Sequence, residues 1–217
     1  MKRTRVFIID DHPVVFQGLR ALLNQEKRLE VCGYAQDAQA AFSGIEQKSP
    51  DLAIVDISLQ DGVSGLDLMK QLSATFPELK ILSLSMHDES VYSERAIRAG
   101  AHGYVMKSEL INTLVKAIDQ VMQGNVYLSE KTASKLLKKM VKHGEKAAVD
   151  ITEQLTNREF EVFSLIGEGY KTRGIAERLY LSPKTVETYR MRIREKLQLN
   201  DSAELTLYAV SWTREHP

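Results

Sequence analysis

The stretch Val6-Phe7-Ile8-Ile9-Asp10-Asp11-His12-Pro13 is a short apolar run that ends in two acidic residues. A continuous apolar run of this length is typical of a strand that is buried on both faces of a parallel sheet. Residues 13–24 then carry apolar side chains at helical spacing, and Pro13 suits the first turn of a helix. The stretch therefore predicts a buried strand followed by a helix.

The same strand-then-helix pattern occurs four more times. Strands are predicted at 30–35, 51–55, 80–84 and 103–105, and helices at 38–47, 65–75, 89–99 and 110–122. Five such units predict an α/β fold, a doubly wound five-stranded parallel sheet with helices on both faces. In such sheets the ligand site lies beyond the carboxyl ends of the strands.

Polar side chains follow four of the predicted strands: Asp10 and Asp11, then Asp56, Ser85 and Lys107. Carboxylates gathered at one place repel one another unless a cation intervenes, and an all-oxygen set of ligands favours Mg²⁺. A carboxylate nucleophile with a nearby lysine and hydroxyl fits phosphoryl transfer to Asp56. An acidic pair alone is more often an ordinary feature of a loop. The prediction of a phosphoryl-transfer site therefore rests on the occurrence of all these polar residues together at the ends of four strands.

Residues 151–212 carry only helical patterns. Thr156-Asn157-Arg158-Glu159 is a capping box, and Ser182-Pro183 begins a long helix that runs to about Leu197. Together with a short helix at about 172–179, this gives a helix, a short turn and a second helix. The second helix has apolar residues on one side and basic residues on the other, as a helix needs to enter the DNA major groove from its own domain.

The segment between the two patterns differs from both. Gly124-Asn125 marks a turn, a lysine-rich helix is predicted at about 129–141, and a polar stretch follows. We therefore predict three parts: 1–124, a linker with one helix at 125–150, and an all-helical domain at 151–217.

Composition excludes several classes of protein. The 29 basic and 29 acidic residues give no net charge, so the total charge does not indicate nucleic acid. The single cysteine, Cys32, excludes an internal disulfide. No apolar run approaches the about 18 residues of a membrane helix. We expect a cytoplasmic protein with no membrane contact.

The first half of the chain resembles the receiver domains of two-component response regulators, which have a flavodoxin-like fold. The resemblance covers about residues 4–122 and rests on the stretch quoted above, Asp56, Ser85 and the run Ala99-Gly100-Ala101-His102-Gly103-Tyr104-Val105-Met106-Lys107. It implies that Asp56 accepts a phosphoryl group from a sensor histidine kinase and that Lys107 contacts that group. It also implies that Ser85 moves toward the group while Tyr104 repacks, as a switch.

The same resemblance implies a magnesium site. Asp11 would bind Mg²⁺ directly and Asp10 largely through water, with Asp56 and the backbone carbonyl of Ser58 as further ligands. The loop Ile57-Ser58-Leu59-Gln60-Asp61-Gly62-Val63-Ser64-Gly65 departs from the family, because it lacks the usual proline and is one residue longer.

The second half resembles the LuxR-type helix-turn-helix, as in the NarL/FixJ branch of response regulators. The resemblance covers about 153–212 and rests on Leu155 to Phe163, Ile175 to Leu179 and Leu181 to Arg190. It implies that three residues face base edges, namely Glu187, Thr188 and Met191. It gives candidates for phosphate contacts, namely Lys184, Thr185, Tyr189, Arg190 and Arg192.

These resemblances imply a transcriptional regulator, not an enzyme, in which phosphorylation controls dimerisation and sequence-specific DNA binding. The expected partners are DNA, a sensor histidine kinase, a second copy of the chain and RNA polymerase. One alternative is a receiver that serves only as a phosphorylation-independent dimerisation module, which the altered loop after Asp56 keeps open. Another is a Mg²⁺-dependent phosphatase with Asp56 or Asp10 as nucleophile, which leaves residues 153–212 unexplained.

Overall fold

The computed structural model describes residues 3–59, 63–142 and 154–215. The chain forms two compact units, Met1–Ala133 and Ser134–Pro217. Predictions for 60–62 of the loop after Asp56, and for 143–153 of the linker and the start of the helical domain, lie outside the described residues. No helix in the described ranges is both long and apolar enough to cross a bilayer.

The first unit is built on a five-stranded, all-parallel sheet. Its strands are β1 (Thr4–Ile9), β2 (Leu29–Ala35), β3 (Leu52–Asp56), β4 (Lys80–Ser85) and β5 (Gly103–Met106). The spatial order β2-β1-β3-β4-β5 reverses direction beside β1. This order confirms the predicted doubly wound sheet and places the carboxyl ends of β1, β3, β4 and β5 at one edge.

Five helices follow the five strands: α1 (Pro13–Leu23), α2 (Ala38–Lys48), α3 (Gly65–Thr75), α4 (Glu89–Arg98) and α5 (Leu110–Met122). Three of them begin at a polar cap, since the side chains of Asp37, Ser64 and Asp88 each accept a backbone N–H of the first turn. The pattern predicted all five helices to within one residue at either end.

The core lies between the sheet and the helices. Val6, Ile8, Leu52, Ile54 and Leu82 are among the buried residues that form one cluster with the inner faces of α1 and α5. On the other face of β1, the Phe7 ring lies so close to Gly33 and Gly44 that a Cβ at either position would sit less than 2.5 Å from it. These two glycines therefore let the sheet and α2 pack against a large ring.

The residues after α5 continue to pack on the first unit. Tyr127 pairs with Gly103 beside β5, with its N–H donating to His102 and its carbonyl accepting from Tyr104, both at 3.0 Å. The next helix, α6 (Glu130–Lys142), begins against α4. The Glu89 carboxylate accepts the Ser129 N–H at 2.8 Å and the Thr132 hydroxyl at 3.0 Å.

The second unit contains α7 (Asn157–Gly167), α8 (Thr172–Arg178), α9 (Pro183–Leu197) and α10 (Ser202–Glu215). The predicted capping box is present, with Thr156 and Glu159 bonded to each other's backbone N–H groups. In the core, the Trp212 ring meets the rings of Phe160 and Phe163 edge to face, at ring-centre distances of 5.5 and 5.7 Å respectively. The structure thus confirms a small all-helical domain.

Candidate phosphorylation pocket and DNA-binding helix

The acidic side chains predicted from the strand ends meet at one edge of the sheet. Asp10 follows β1 and Asp56 ends β3, and both are buried. Lys107, just beyond β5, forms ion pairs with both, with its Nζ 2.7 Å from Asp10 Oδ2 and 2.7 Å from Asp56 Oδ2. The ammonium therefore balances part of the buried negative charge.

Burial shifts the titration of these groups. It raises the pKa of Asp56 from its usual value to about 7, against the lowering effect of Lys107 and with a further raising effect from Asp10. For Lys107, burial disfavours the charged form, but the Asp56 and Asp10 carboxylates outweigh it and raise the pKa. Burial also raises the pKa of Asp11. The pocket is thus short of positive charge.

The donor set fits a hard divalent cation. One ligand atom each from Asp10, Asp11, His12 and Asp56 lies within 4.8 Å of all the others. Asp11 Oδ2 is buried and has no hydrogen-bond partner among the described residues. A buried carboxylate oxygen that accepts no hydrogen bond lowers the stability of the fold unless a cation binds it. Three carboxylates in this arrangement match the oxygen ligands that Mg²⁺ takes.

Ser85 ends β4 and Tyr104 lies in the neighbouring strand β5, and the two are connected through His87. The Ser85 hydroxyl accepts the His87 N–H at 3.0 Å, and the Tyr104 hydroxyl donates to the His87 carbonyl at 2.9 Å. Tyr104 also hydrogen-bonds Ser85, but burial dominates and raises its pKa well above the usual value. With 1% of its surface exposed, Tyr104 is a core side chain in this conformation.

Sequence reasoning assigned no role to two histidines of the pocket. The imidazole Nδ1 of His12 lies 2.9 Å from Asp11 Oδ1 and 3.4 Å from Asp10 Oδ1. The His87 ring lies 3.3 Å from the Ser58 hydroxyl and stacks on Tyr92. The Ser58 N–H is 3.3 Å from Asp56 Oδ1. Adjacency to Asp11 was a sequence signal for His12, whereas nothing local indicates His87.

In the second unit, all eight residues predicted to contact DNA lie on α9, and half of them are exposed. Lys184, Glu187, Met191 and Arg192 are exposed. Thr185, Thr188, Tyr189 and Arg190 are half-buried, and 13% of the Arg190 side chain is exposed. Val186 and Ile193 are fully buried, as the predicted core face requires.

A notch of about 290 Å³ lies along the start of α9. Four of the predicted phosphate-contact residues line it, together with Thr188 and the N-cap serine, namely Lys184, Thr185, Tyr189, Arg192, Thr188 and Ser182. The Ser182 hydroxyl accepts the Thr185 N–H at 3.0 Å. Hydroxyls, lysine and arginine around one concave surface are suited to phosphate oxygens.

A buried ion pair that sequence reasoning missed holds the helix-turn-helix on the rest of its domain. Arg158 and Glu161 of α7 pair at 2.6 Å, and Arg158 also donates to the Leu179 carbonyl at 2.6 Å. Leu179 directly follows α8, and Tyr180 turns the chain with a positive φ of 52°. The spacing of three residues between Arg158 and Glu161 was the available signal.

Two protein-family models match the chain. The model "Response regulator receiver domain" matches residues 6–119, and the model "Bacterial regulatory proteins, luxR family" matches 153–209. The first covers the acidic pocket and the second covers α7 to α9 and part of α10.

Similar proteins span nearly the whole chain. The oxygen regulatory protein NreC of Staphylococcus haemolyticus is 36% identical over 209 residues, 95% of this chain and 96% of that one. NreC of Staphylococcus carnosus is 35% identical with the same coverage. Among solved structures, RcsB of Salmonella typhimurium matches with a TM-score of 0.66 and 27% identity over 97% of this chain and 98% of that one.

RcsB of Salmonella enterica bound to promoter rprA with the phosphomimetic BeF₃⁻ matches with a TM-score of 0.62 and 26% identity, covering 96% and 99% of the two chains. The fold, the two family models and these full-length likenesses agree. The chain therefore belongs to the response regulators, transcription regulators of two-component systems, in which a receiver domain is joined to a LuxR-type helix-turn-helix domain.

Proposed function

We propose that this chain is a phosphorylation-controlled DNA-binding regulator in which Asp56 accepts a phosphoryl group from a sensor histidine kinase. The observation that carries the proposal is the buried Asp10–Lys107–Asp56 arrangement at the carboxyl edge of the sheet. The proposed parts of the chain are a receiver at 1–124, a linker at 125–150 and a DNA-binding domain at 151–217.

Mg²⁺ is the proposed cofactor, held by Asp10, Asp11, Asp56 and the backbone carbonyl of Ser58. When bound, the cation would neutralise charge as the phosphoryl group approaches a carboxylate. Two observations support this assignment. Asp11 Oδ2 is buried and has no hydrogen-bond partner among the described residues, and the ligand atoms of the three carboxylates lie within 4.8 Å of one another. His12 is a neighbour of the site through its contact with Asp11, not a proposed ligand.

The protein's own residues supply the nucleophile and its orientation. A carboxylate oxygen of Asp56 attacks phosphorus, the bond from phosphorus to the kinase histidine nitrogen breaks, and the imidazole nitrogen keeps that electron pair. The product is an acyl phosphate on Asp56. Lys107, already within hydrogen-bond distance of Asp56, would then donate to the phosphoryl oxygens.

Ser85 and Tyr104 are the proposed switch. When the Ser85 hydroxyl turns toward the phosphoryl group, its bond from the His87 N–H is lost and the Tyr104 bond to the His87 carbonyl is disturbed. The same loop leads directly into α4, where Glu89 holds Ser129 and Thr132 at the start of α6. A shift of this loop would therefore reach the linker through hydrogen bonds.

Three base-reading residues are proposed on α9, namely Glu187, Thr188 and Met191. Five phosphate contacts are proposed, namely Lys184, Thr185, Tyr189, Arg190 and Arg192. One domain of this size buries little DNA surface, so we propose a homodimer on paired half-sites, with RNA polymerase as a further partner. Action on the chromosome would place the protein in the cytoplasm.

Mass spectrometry of the intact chain after incubation with acetyl phosphate and Mg²⁺ tests the phosphorylation site. We expect one added phosphoryl group on the wild type and on Asp119→Asn, a surface carboxylate that pairs with Arg28. We expect none on Asp56→Asn or on wild type in EDTA. A phosphorylated Asp56→Asn protein would refute the assignment.

The alternative, a receiver that acts only in dimerisation, is distinguished by the same samples. If phosphorylation controls the output, acetyl phosphate should change the oligomeric state and the DNA affinity of wild type but not of Asp56→Asn. If wild type and Asp56→Asn dimerise and select DNA equally under all conditions, the alternative holds. The altered loop after Asp56 is the feature that favours it.

A further inference from the structure

One hydrogen bond joins the two helices of the helix-turn-helix at their exposed side. The Thr172 hydroxyl, on the first residue of α8, donates to Glu187 Oε1 on α9 at 2.6 Å. This short bond to a carboxylate spans 15 residues of sequence. Bonds between a neutral donor and a charged acceptor are among the stronger ones available to side chains.

The bond leaves one carboxylate oxygen of Glu187 available. Oε1 takes the Thr172 hydroxyl and lies 3.9 Å from Arg190 Nε. Among the described residues, none donates a hydrogen bond to Oε2, and 59% of the Glu187 side chain is exposed. Glu187 is therefore held at one oxygen and open at the other.

A carboxylate on a DNA-binding helix weakens DNA binding unless it accepts a hydrogen bond from the DNA. DNA phosphates repel it, so its presence must be offset by a specific donor. In the major groove, the exocyclic amino group of cytosine is the donor that glutamate reads. An unrestrained glutamate loses rotational freedom when it makes that contact, whereas one that is already held loses little.

We infer that Thr172 is a positioning residue that pre-orders Glu187 to read the amino group of a cytosine. The inference rests on the proposed function, since it requires that Glu187 faces a base. Thr172 itself need not touch DNA. Its effect is to make the protein discriminate more sharply at one base position.

A merely structural role for Thr172 would leave a different signature. If the bond only held α8 against α9, its loss would weaken binding to every DNA sequence by a similar factor. If it orients Glu187, the loss falls on one position of the site, and binding to the other bases changes little. The base-preference profile separates the two roles, whereas total affinity does not.

The experiment is in vitro DNA selection with the full chain incubated with acetyl phosphate and Mg²⁺. The variants are Thr172→Val, which keeps the branched shape without the hydroxyl, and Thr172→Ser, which keeps the hydroxyl. Glu187→Ala and the Glu187→Ala, Thr172→Val double variant complete a cycle. We expect Thr172→Val to lose about 3- to 10-fold of its cytosine discrimination at one position, the effect of one unrestrained side chain.

We expect Thr172→Ser to behave as wild type, and Thr172→Val to have no further effect once Glu187 is alanine. Unchanged discrimination in Thr172→Val, with discrimination lost in Glu187→Ala, would overturn the inference while leaving the proposed function intact. A similar loss of affinity for every DNA sequence would also overturn the inference, because it would show that the bond only holds α8 against α9. A wild-type chain that selects no sequence would overturn the proposed function itself.

Discussion

Lys107 is the one cation that the buried carboxylates of Asp10 and Asp56 share among the described residues. The order of Asp10, Asp11, Asp56, Ser85 and Lys107 along the chain was enough to predict that they meet, because parallel strands end at one sheet edge. The two ion pairs of Lys107 and the orphaned Asp11 oxygen needed the folded chain. Likewise, Thr172 and His87 find partners 15 and 29 residues away, which no local pattern encodes.

Removing the Lys107 charge should destabilise the first unit. In Lys107→Met, Asp10 and Asp56 stay buried without their shared cation, which we expect to lower the free energy of unfolding by about 3–5 kcal/mol in EDTA. Added Mg²⁺ should recover part of the loss, because it binds the same carboxylates in the folded state. Urea unfolding followed by far-UV circular dichroism measures both effects.

Trp212 provides an internal control for that measurement, since it is the single tryptophan and lies in the second unit. Its fluorescence transition should be the same in wild type and Lys107→Met. The exposed Lys70→Met change on α3 should alter neither signal. If Lys107→Met unfolds at the wild-type urea concentration in EDTA, Lys107 does not stabilise the buried acids.

At the scale of elements, periodicity and capping residues placed nearly every helix and strand. The capping box at Thr156 and the Ser182-Pro183 start were predictable because a cap uses residues close in sequence. Pairing of Tyr127 with Gly103, and docking of α6 on Glu89, were not predictable. Both depend on partners 24 to 43 residues away, brought together only by the sheet.

Glu89 should hold the start of α6. In Glu89→Ala, Ser129 and Thr132 lose their shared acceptor, so we expect faster amide hydrogen exchange across 129–133 with little change in β1 to β4. The matched control is Glu94→Ala on the same helix, which removes a pair with Arg98 at 2.9 Å. Equal exchange in the two variants would show that Glu89 does not hold the start of α6.

For the whole molecule, the position of charge is more informative than its total. The zero net charge hides a basic α9, which carries five basic and two acidic residues between 182 and 197. Charge alone left DNA binding undecided, since basic helix faces are commonly just solvated. The fold adds that four of the predicted contact residues line one notch.

Salt dependence of DNA binding should report both the phosphate contacts and the number of chains bound. Arg192→Ala should reduce the slope of log affinity against log salt by about 0.9 if one chain binds, and by about twice that for a dimer on paired half-sites. Fluorescence anisotropy of labelled DNA at several salt concentrations gives the slope. Arg214→Ala, an exposed arginine of α10, is the control, and a slope equal in all three proteins would exclude a phosphate contact at Arg192.

The pairing of Tyr127 beside β5 has a consequence for solubility. β5 is the outermost strand of the sheet, and the residues after α5 cover part of its free edge with two backbone hydrogen bonds. Uncovered edge strands invite pairing with other molecules. A receiver fragment cut at residue 124 should therefore aggregate more readily than one cut after residue 133, so chimeras that borrow this receiver should retain residues 125–133.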